Sequence, residues 1–125
     1  MAIWADFANP SYAESAAAEQ ADIYITSALV TETGYAADAR LLSAMAKRHQ
    51  FPVLLANHLS NTGGWQTAGK SGGWNTSGGL AIVADEGVSS LVLVDVSQYK
   101  LKATKATFSF RYPTLSDEAN LPNSK

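Results

Sequence analysis

Cysteine is absent from all 125 residues, which excludes disulfides, thiolate metal sites and a cysteine nucleophile. Histidine occurs only as His49 and His58, neither beside a carboxylate cluster, so no metal and no other cofactor is expected. No apolar run approaches membrane-spanning length. Met1 leads into an apolar strand pattern rather than a basic signal segment, so a cytoplasmic location without a membrane partner is the default. Basic runs are missing too, as are aromatic residues interleaved with clustered positive charge, so nucleic acid is not an expected partner. No internal repeat and no linker between two domains is evident. What remains is a slightly acidic chain, net charge −2, with 46% hydrophobic residues, enough for one domain with a real core.

The stretch that organises the chain is Val53 to Trp74, where an apolar strand, Val53-Leu54-Leu55-Ala56, opens at Asn57 and His58 into a loop punctuated by Gly63, Gly64, Gly69, Gly72 and Gly73. Within it, Gly64 to Ser71 satisfies the phosphate-loop string G-x-x-x-x-G-K-[ST], and Leu91 to Asp95 reads like an apolar strand ending in a magnesium-holding aspartate. That chemistry needs a helix beginning at the Lys-Ser end, so that free N–H groups face the phosphates. Gly72-Gly73-Trp74-Asn75-Thr76-Ser77-Gly78-Gly79 cannot sustain one. A phosphate-loop nucleotide binder is therefore the weaker alternative. Gly69 to Gly73 also matches G-x-S-x-G, but that nucleophile elbow needs a following helix and a later histidine, and none follows Ser71.

Taken in order, Met1 to Ala5 reads as a short strand. Asn9 and Pro10 supply an N-cap and a first helical residue for a helix from about Ser11 to Ala21, whose alanines make a smooth face. Asp22 to Val30 is β-branched and predicts a second strand. Tyr35 to His49 predicts the stronger helix: Tyr35, Ala39, Leu42, Ala46 and His49 share a stripe with Met45 beside it, and Lys47, Arg48 and His49 suit its negative end. Beyond the glycine loop, Leu80–Ala84 and Leu91–Val96 predict two more strands joined around Glu86-Gly87. The order predicts an α/β fold. Residues 98–112 read as an arm, extended or partly helical, and 113–125 as a loose tail.

These pieces together resemble one family. Ala2-Ile3-Trp4-Ala5-Asp6 with Asn9-Pro10, Ala21-Asp22-Ile23-Tyr24 with Ser27, Gly34-Tyr35 with Asp38-Ala39-Arg40-Leu41-Leu42, then Ala56-Asn57-His58, Gly63-Gly64-Trp65 and Gly69-Lys70-Ser71 are similar, in order and spacing, to the C-terminal half of a carbon-nitrogen hydrolase of the nitrilase and amidase superfamily. The resemblance runs from Ala2 to about Val96 and makes 1–97 a half domain. It implies half of a helix-sheet-sheet-helix sandwich, with one mixed sheet and two helices on one face.

It also implies a reaction in which a cysteine attacks a nitrile or amide carbon, a glutamate acts as general base and a lysine steadies the tetrahedral intermediate. The position matching the nucleophile is Trp4, whose indole has no equivalent of a thiolate. The family's glutamate and lysine belong to the N-terminal half, and Pro10 is followed by Ser11 where relatives often carry glutamate. The expectation is a truncated homologue, inactive alone as a nitrilase or amidase, acting as a binding or assembly protein; the alternative is a hydrolase subunit using a partner chain or unconventional residues. No catalytic residue is expected. A remnant pocket would draw on Trp4, Asp6, Ser27, Asn57, His58 and Trp65, with Asp6 and His58 the one conceivable acid-base pair and structural roles favoured for Asp6, Ser27, His49 and His58. A half sandwich bares an apolar sheet face. A homodimer meeting sheet to sheet would cover it, as would a separate chain supplying the N-terminal half.

Overall fold

Asn9 starts the first helix as its chemistry dictates. Its backbone is extended, with φ −88° and ψ 113°, and its Oδ1 accepts from the Ser11 N–H at 3.1 Å. In the computed structural model, which describes residues 2–107, helix α1 runs Pro10–Ala18 and ends before Gln20, which turns left-handed at φ 57°. Helix α2 spans Tyr35–His49, the predicted bounds, with Lys47, Arg48 and His49 in its last turn and Gln50 closing it at φ 58°. The end of the arm and the tail expected over 113–125 lie outside the described residues.

The sheet is mixed, as expected. Strands β1 (Ala2–Ile3), β2 (Tyr24–Ala28) and β3 (Val53–Asn57) are parallel, joined by crossovers through α1 and α2; β4 (Gly72–Trp74) and β5 (Leu80–Val83) follow antiparallel, in spatial order β1-β2-β3-β4-β5. Alternation along β2 and β3 sends Tyr24, Thr26, Ala28, Val53 and Leu55 to one face. There they meet Ala13, Leu42, Met45, Ala46 and Phe51 in the core, with Tyr24 stacked on Phe51 at 5.6 Å between ring centres. Ile25, Ser27 and Ala56 point the other way and are exposed.

Three local differences from the sequence reading have physical causes. The first strand is two residues long because Trp4–Ala8 winds into a 3-10 turn that buries Phe7 and closes with the Asn9 N–H on the Asp6 carbonyl at 3.0 Å. The glycine loop contains a strand, β4, that carries too few side chains to show an alternating pattern: Gly72 and Gly73 occupy two of its three positions. Residues 100–107 of the arm are extended. They form β7 (Lys100–Thr107), paired with β6 (Ser90–Ser97) in a two-stranded ribbon apart from the main sheet, so the boundary drawn at 97 falls at a hairpin whose turn residues Gln98 and Tyr99 have φ 49° and 63°.

That ribbon is tied to the end of β5 through Lys105, whose Nζ lies 2.6 Å from the Asp85 carboxylate and donates to the Val83 carbonyl at 3.3 Å. Leu101 of β7 reaches the face opposite the helices, since a Cβ built on Gly73 would sit 3.6 Å from Leu101 Cδ1 and 2.7 Å from Leu54 Cδ2. The chain thus covers part of its own second face over β3 and β4. Ile25 on β2 stays 39% exposed.

Candidate functional site

The carboxyl ends of β2 and β3 point into the region roofed by the glycine loop, the place where open α/β sheets offer a crevice. Asn57 organises it. Its Oδ1 accepts from the Val30 N–H at 2.7 Å, and its Nδ2 donates to the Val30 carbonyl at 3.1 Å and the Gly69 carbonyl at 2.8 Å. One amide side chain therefore joins the exit of β2 to the loop after β3, where no strand ladder remains. The Asn57 N–H donates to Ser71 Oγ at 2.8 Å, so this hydroxyl is spent on backbone rather than free as a nucleophile.

Further loop bonds extend this joint. Ala68 N–H donates to the Val30 carbonyl at 2.9 Å, Glu32 N–H to the Gln66 carbonyl at 3.0 Å, and Thr31 bridges Thr67 in antiparallel fashion. Thr62 and Trp65 exchange backbone bonds of 3.1 and 2.8 Å around Gly63 and Gly64, whose φ values of 54° and 81° are those a two-residue I′ turn requires. Trp65 is consequently presented by a tight hairpin rather than a slack loop, and its indole is 60% exposed.

Lys70, the phosphate-loop lysine by sequence, is held in a left-handed conformation at φ 54°. Its Nζ is 2.7 Å from Glu86 and 4.8 Å from the centre of the Tyr35 ring. The Glu86 carboxylate leads in pushing its pKa up, while burial chiefly raises that of Tyr35. The residues after Ser71 enter β4, not a helix, so no bank of free N–H groups faces a phosphate here.

Beside Trp65 lies a cleft of about 400 Å³ lined by Ala5, Phe7, Ala8, Leu29, Thr31, Asp38 and Trp65. Thr31 Oγ1 is committed to the Gly34 N–H at 3.1 Å. Asp38, in the first turn of α2, is half-buried, and burial pushes its carboxyl up from the ordinary value of 3.8.

The residues expected to line a remnant pocket are spread out. Trp65 lines the cleft with Asp38. Asn57 lines a separate cleft of about 240 Å³ with Gly69, Lys70 and Ser71. Asp6 sits in the 3-10 turn, where its charge adds to burial in raising the Tyr24 phenol. Ser27 faces solvent on the side away from the helices. His58 is exposed, its Nε2 3.1 Å from Ser60 Oγ and its carbonyl accepting from the Gly69 N–H at 3.2 Å; His49 ends α2, its ring 5.4 Å from that of Phe51. β1 and β3 flank β2 and are not neighbours, and no hydrogen bond joins Asp6 to His58 among the described residues. The Trp4 side chain lies outside what is described. Among the described residues no group of three metal-ligating side chains gathers, and no helix is long and apolar enough to cross a membrane. Asp38 is a candidate that sequence reasoning misses, although its position three after Tyr35 and four before Leu42 places a carboxylate on the apolar stripe of α2.

Neither a protein-family model nor a curated protein sequence matches the chain. Solved structures do. An amidase from Nesterenkonia sp. aligns with a TM-score of 0.62 at 17% identity over 85% of this chain and 35% of that one. Nit3 from Saccharomyces cerevisiae, a member of branch 10 of the nitrilase superfamily, aligns with a TM-score of 0.63 at 20% identity over 84% of this chain and 35% of that one. A variant of the Nesterenkonia amidase carrying acrylamide on its active-site cysteine gives 0.61 at 22% identity over 66% of this chain and 32% of that one. The chain spans about a third of the length of the solved structures it matches, and its fold is that of part of a nitrilase-superfamily chain.

Proposed function

We propose that these 125 residues belong to a carbon-nitrogen hydrolase homologue that does not carry out the thiol reaction by itself and serves as a binding or assembly protein. The observation that carries this is the absence of any cysteine. The similar amidase bears its acrylamide adduct on an active-site cysteine, whereas the position the resemblance assigns to the nucleophile here is Trp4. An indole cannot form the covalent thioester or thioimidate on which such a reaction depends. A second copy of the chain is the proposed partner, meeting the first across the sheet face that bears Ile25, Ser27 and Ala56. Burial of that apolar surface favours association, and a net charge of only −2 opposes it weakly.

The alternative, a hydrolase subunit completed by a separate chain, draws support from the small share of each solved structure that this chain spans. A panel of amides and nitriles separates the two. The expected result is no turnover by the unmodified chain, and turnover that depends on residues already present overturns the reading. Trp4→Cys tests whether a thiol alone restores activity in these 125 residues; continued silence is expected, because the resemblance assigns the family's base and cation to a half that they do not include. Sedimentation across a concentration series should show a dimer, and a monomer at every concentration rules out the sheet-face partner.

A further inference from the structure

The cleft between the 3-10 turn, the exit of β2 and the start of α2 combines three features that point to one class of ligand. Its walls are apolar: Ala5, Phe7, Ala8 and Leu29. Its single carboxylate, Asp38, is half-buried and makes no ion pair and no side-chain hydrogen bond among the described residues; the pairs found there are Arg48–Glu14, Lys70–Glu86 and Lys105–Asp85. Its rim carries an indole, Trp65, exposed to solvent on a backbone held by the I′ turn at Gly63-Gly64 and by the bonds that join the loop to Val30 and Glu32. The one other polar lining group, the Thr31 hydroxyl, is already engaged with the backbone of Gly34.

A site of this kind discriminates by charge. An anion would meet a carboxylate, and a neutral polar molecule would find few free groups to bond. An organic cation gains attraction to the carboxylate and to the indole face together, while its apolar part fills the cleft. We propose that this cleft binds a small organic ammonium compound, with Asp38 as the counter-charge and Trp65 as the aromatic wall. The volume of about 400 Å³ accommodates an ammonium head with an apolar body the size of a phenyl ring. The α2 terminus, whose dipole favours a negative group in the first turn, helps keep Asp38 ionised against the burial that raises its pKa.

This inference rests on the binding reading above and gives it a ligand class. The test uses the full chain, labelled with nitrogen-15, and follows the Trp65 indole N–H, assigned through Trp65→Phe, during titration with phenethylammonium, its neutral counterpart 2-phenylethanol and the anion 3-phenylpropionate. Phenethylammonium should bind about tenfold more tightly than the alcohol, the anion should bind weakest, and Asp38→Asn should abolish the preference for the cation while leaving alcohol binding intact. Equal binding of cation and alcohol, preference for the anion, or no movement of the Trp65 signal overturns the proposal. The ranking within the unmodified protein decides the matter even if Asp38→Asn fails to fold. Sedimentation of the same sample reads assembly separately. A dimer lacking cation preference defeats only the ligand class, and a monomer with that preference defeats only the sheet-face partner.

Discussion

At the scale of single residues, Asn57 matters more than its sequence neighbour His58. Replacing Asn57 with alanine removes three side-chain hydrogen bonds and leaves the Val30 N–H and the Gly69 carbonyl without partners in a half-buried place, while the Val30 carbonyl keeps only its bond from the Ala68 N–H. The expected cost is about 2–3 kcal/mol in urea unfolding. Asn57→Asp should not rescue it, because an acceptor would then face the Val30 and Gly69 carbonyls. Thr26 has the opposite sign. It is 0% exposed and its Oγ1 finds no partner among the described residues, so Thr26→Val should stabilise by about 1 kcal/mol, read as a raised Tm. Asp38 adds a pH dependence. Its folded pKa is raised by burial, so its favourable contribution is complete below the ordinary value of 3.8 and is lost as pH rises through the higher folded value. The Tm of Asp38→Asn relative to the parent should therefore increase from acidic to neutral pH, and a flat difference would contradict the burial of that carboxyl.

At the scale of elements, the helices were legible and the glycine strand was not. Helix α2 announced itself through a stripe from Tyr35 to His49 that the fold buries at Leu42, Met45 and Ala46. Strand β4 left no such mark, since what makes Gly72 suitable there is the nearness of another chain segment: a Cβ on it would collide with the Ile82 carbonyl of β5. Gly72→Ala should cost about 2–3 kcal/mol by forcing β4 and β5 apart. Gly64, at φ 81° with nothing within 4 Å of an added Cβ, offers the comparison: Gly64→Ala should cost only about 1 kcal/mol, from backbone strain alone. Equal losses in thermal unfolding would refute the distinction.

At the scale of the whole molecule, the sheet face that carries Ile25 is where the proposed second copy would lie. The ribbon of β6 and β7 brings Leu101 over Gly73 and Leu54, which shields the β3–β4 side, while Ile25 on β2 is 39% exposed. If a second copy covers it, Ile25→Lys should weaken association about tenfold or more by setting like charges across a two-fold interface. Sedimentation would show a shift toward monomer, with the circular dichroism spectrum unchanged. An unaltered dimer would place the contact elsewhere on the surface.

The sequence by itself determined the α/β order, the cap at Asn9-Pro10, both helices, the central strand and the lack of a thiol, because periodicity, capping and composition are local properties of the chain. It also marked the glycine loop as the stretch into which the central strand opens. Only the tertiary structure decided that Asn57 would join Val30 to Gly69, that residues 100–107 would pair with β6 and reach back over the sheet, and that Asp38 and Trp65 would border one cleft. Those outcomes depend on groups far apart along the chain meeting in space, Val30 and Asn57 across 27 positions and Gly73 and Leu101 across 28. No pattern of neighbouring residues records such a meeting, since it follows from how the elements pack.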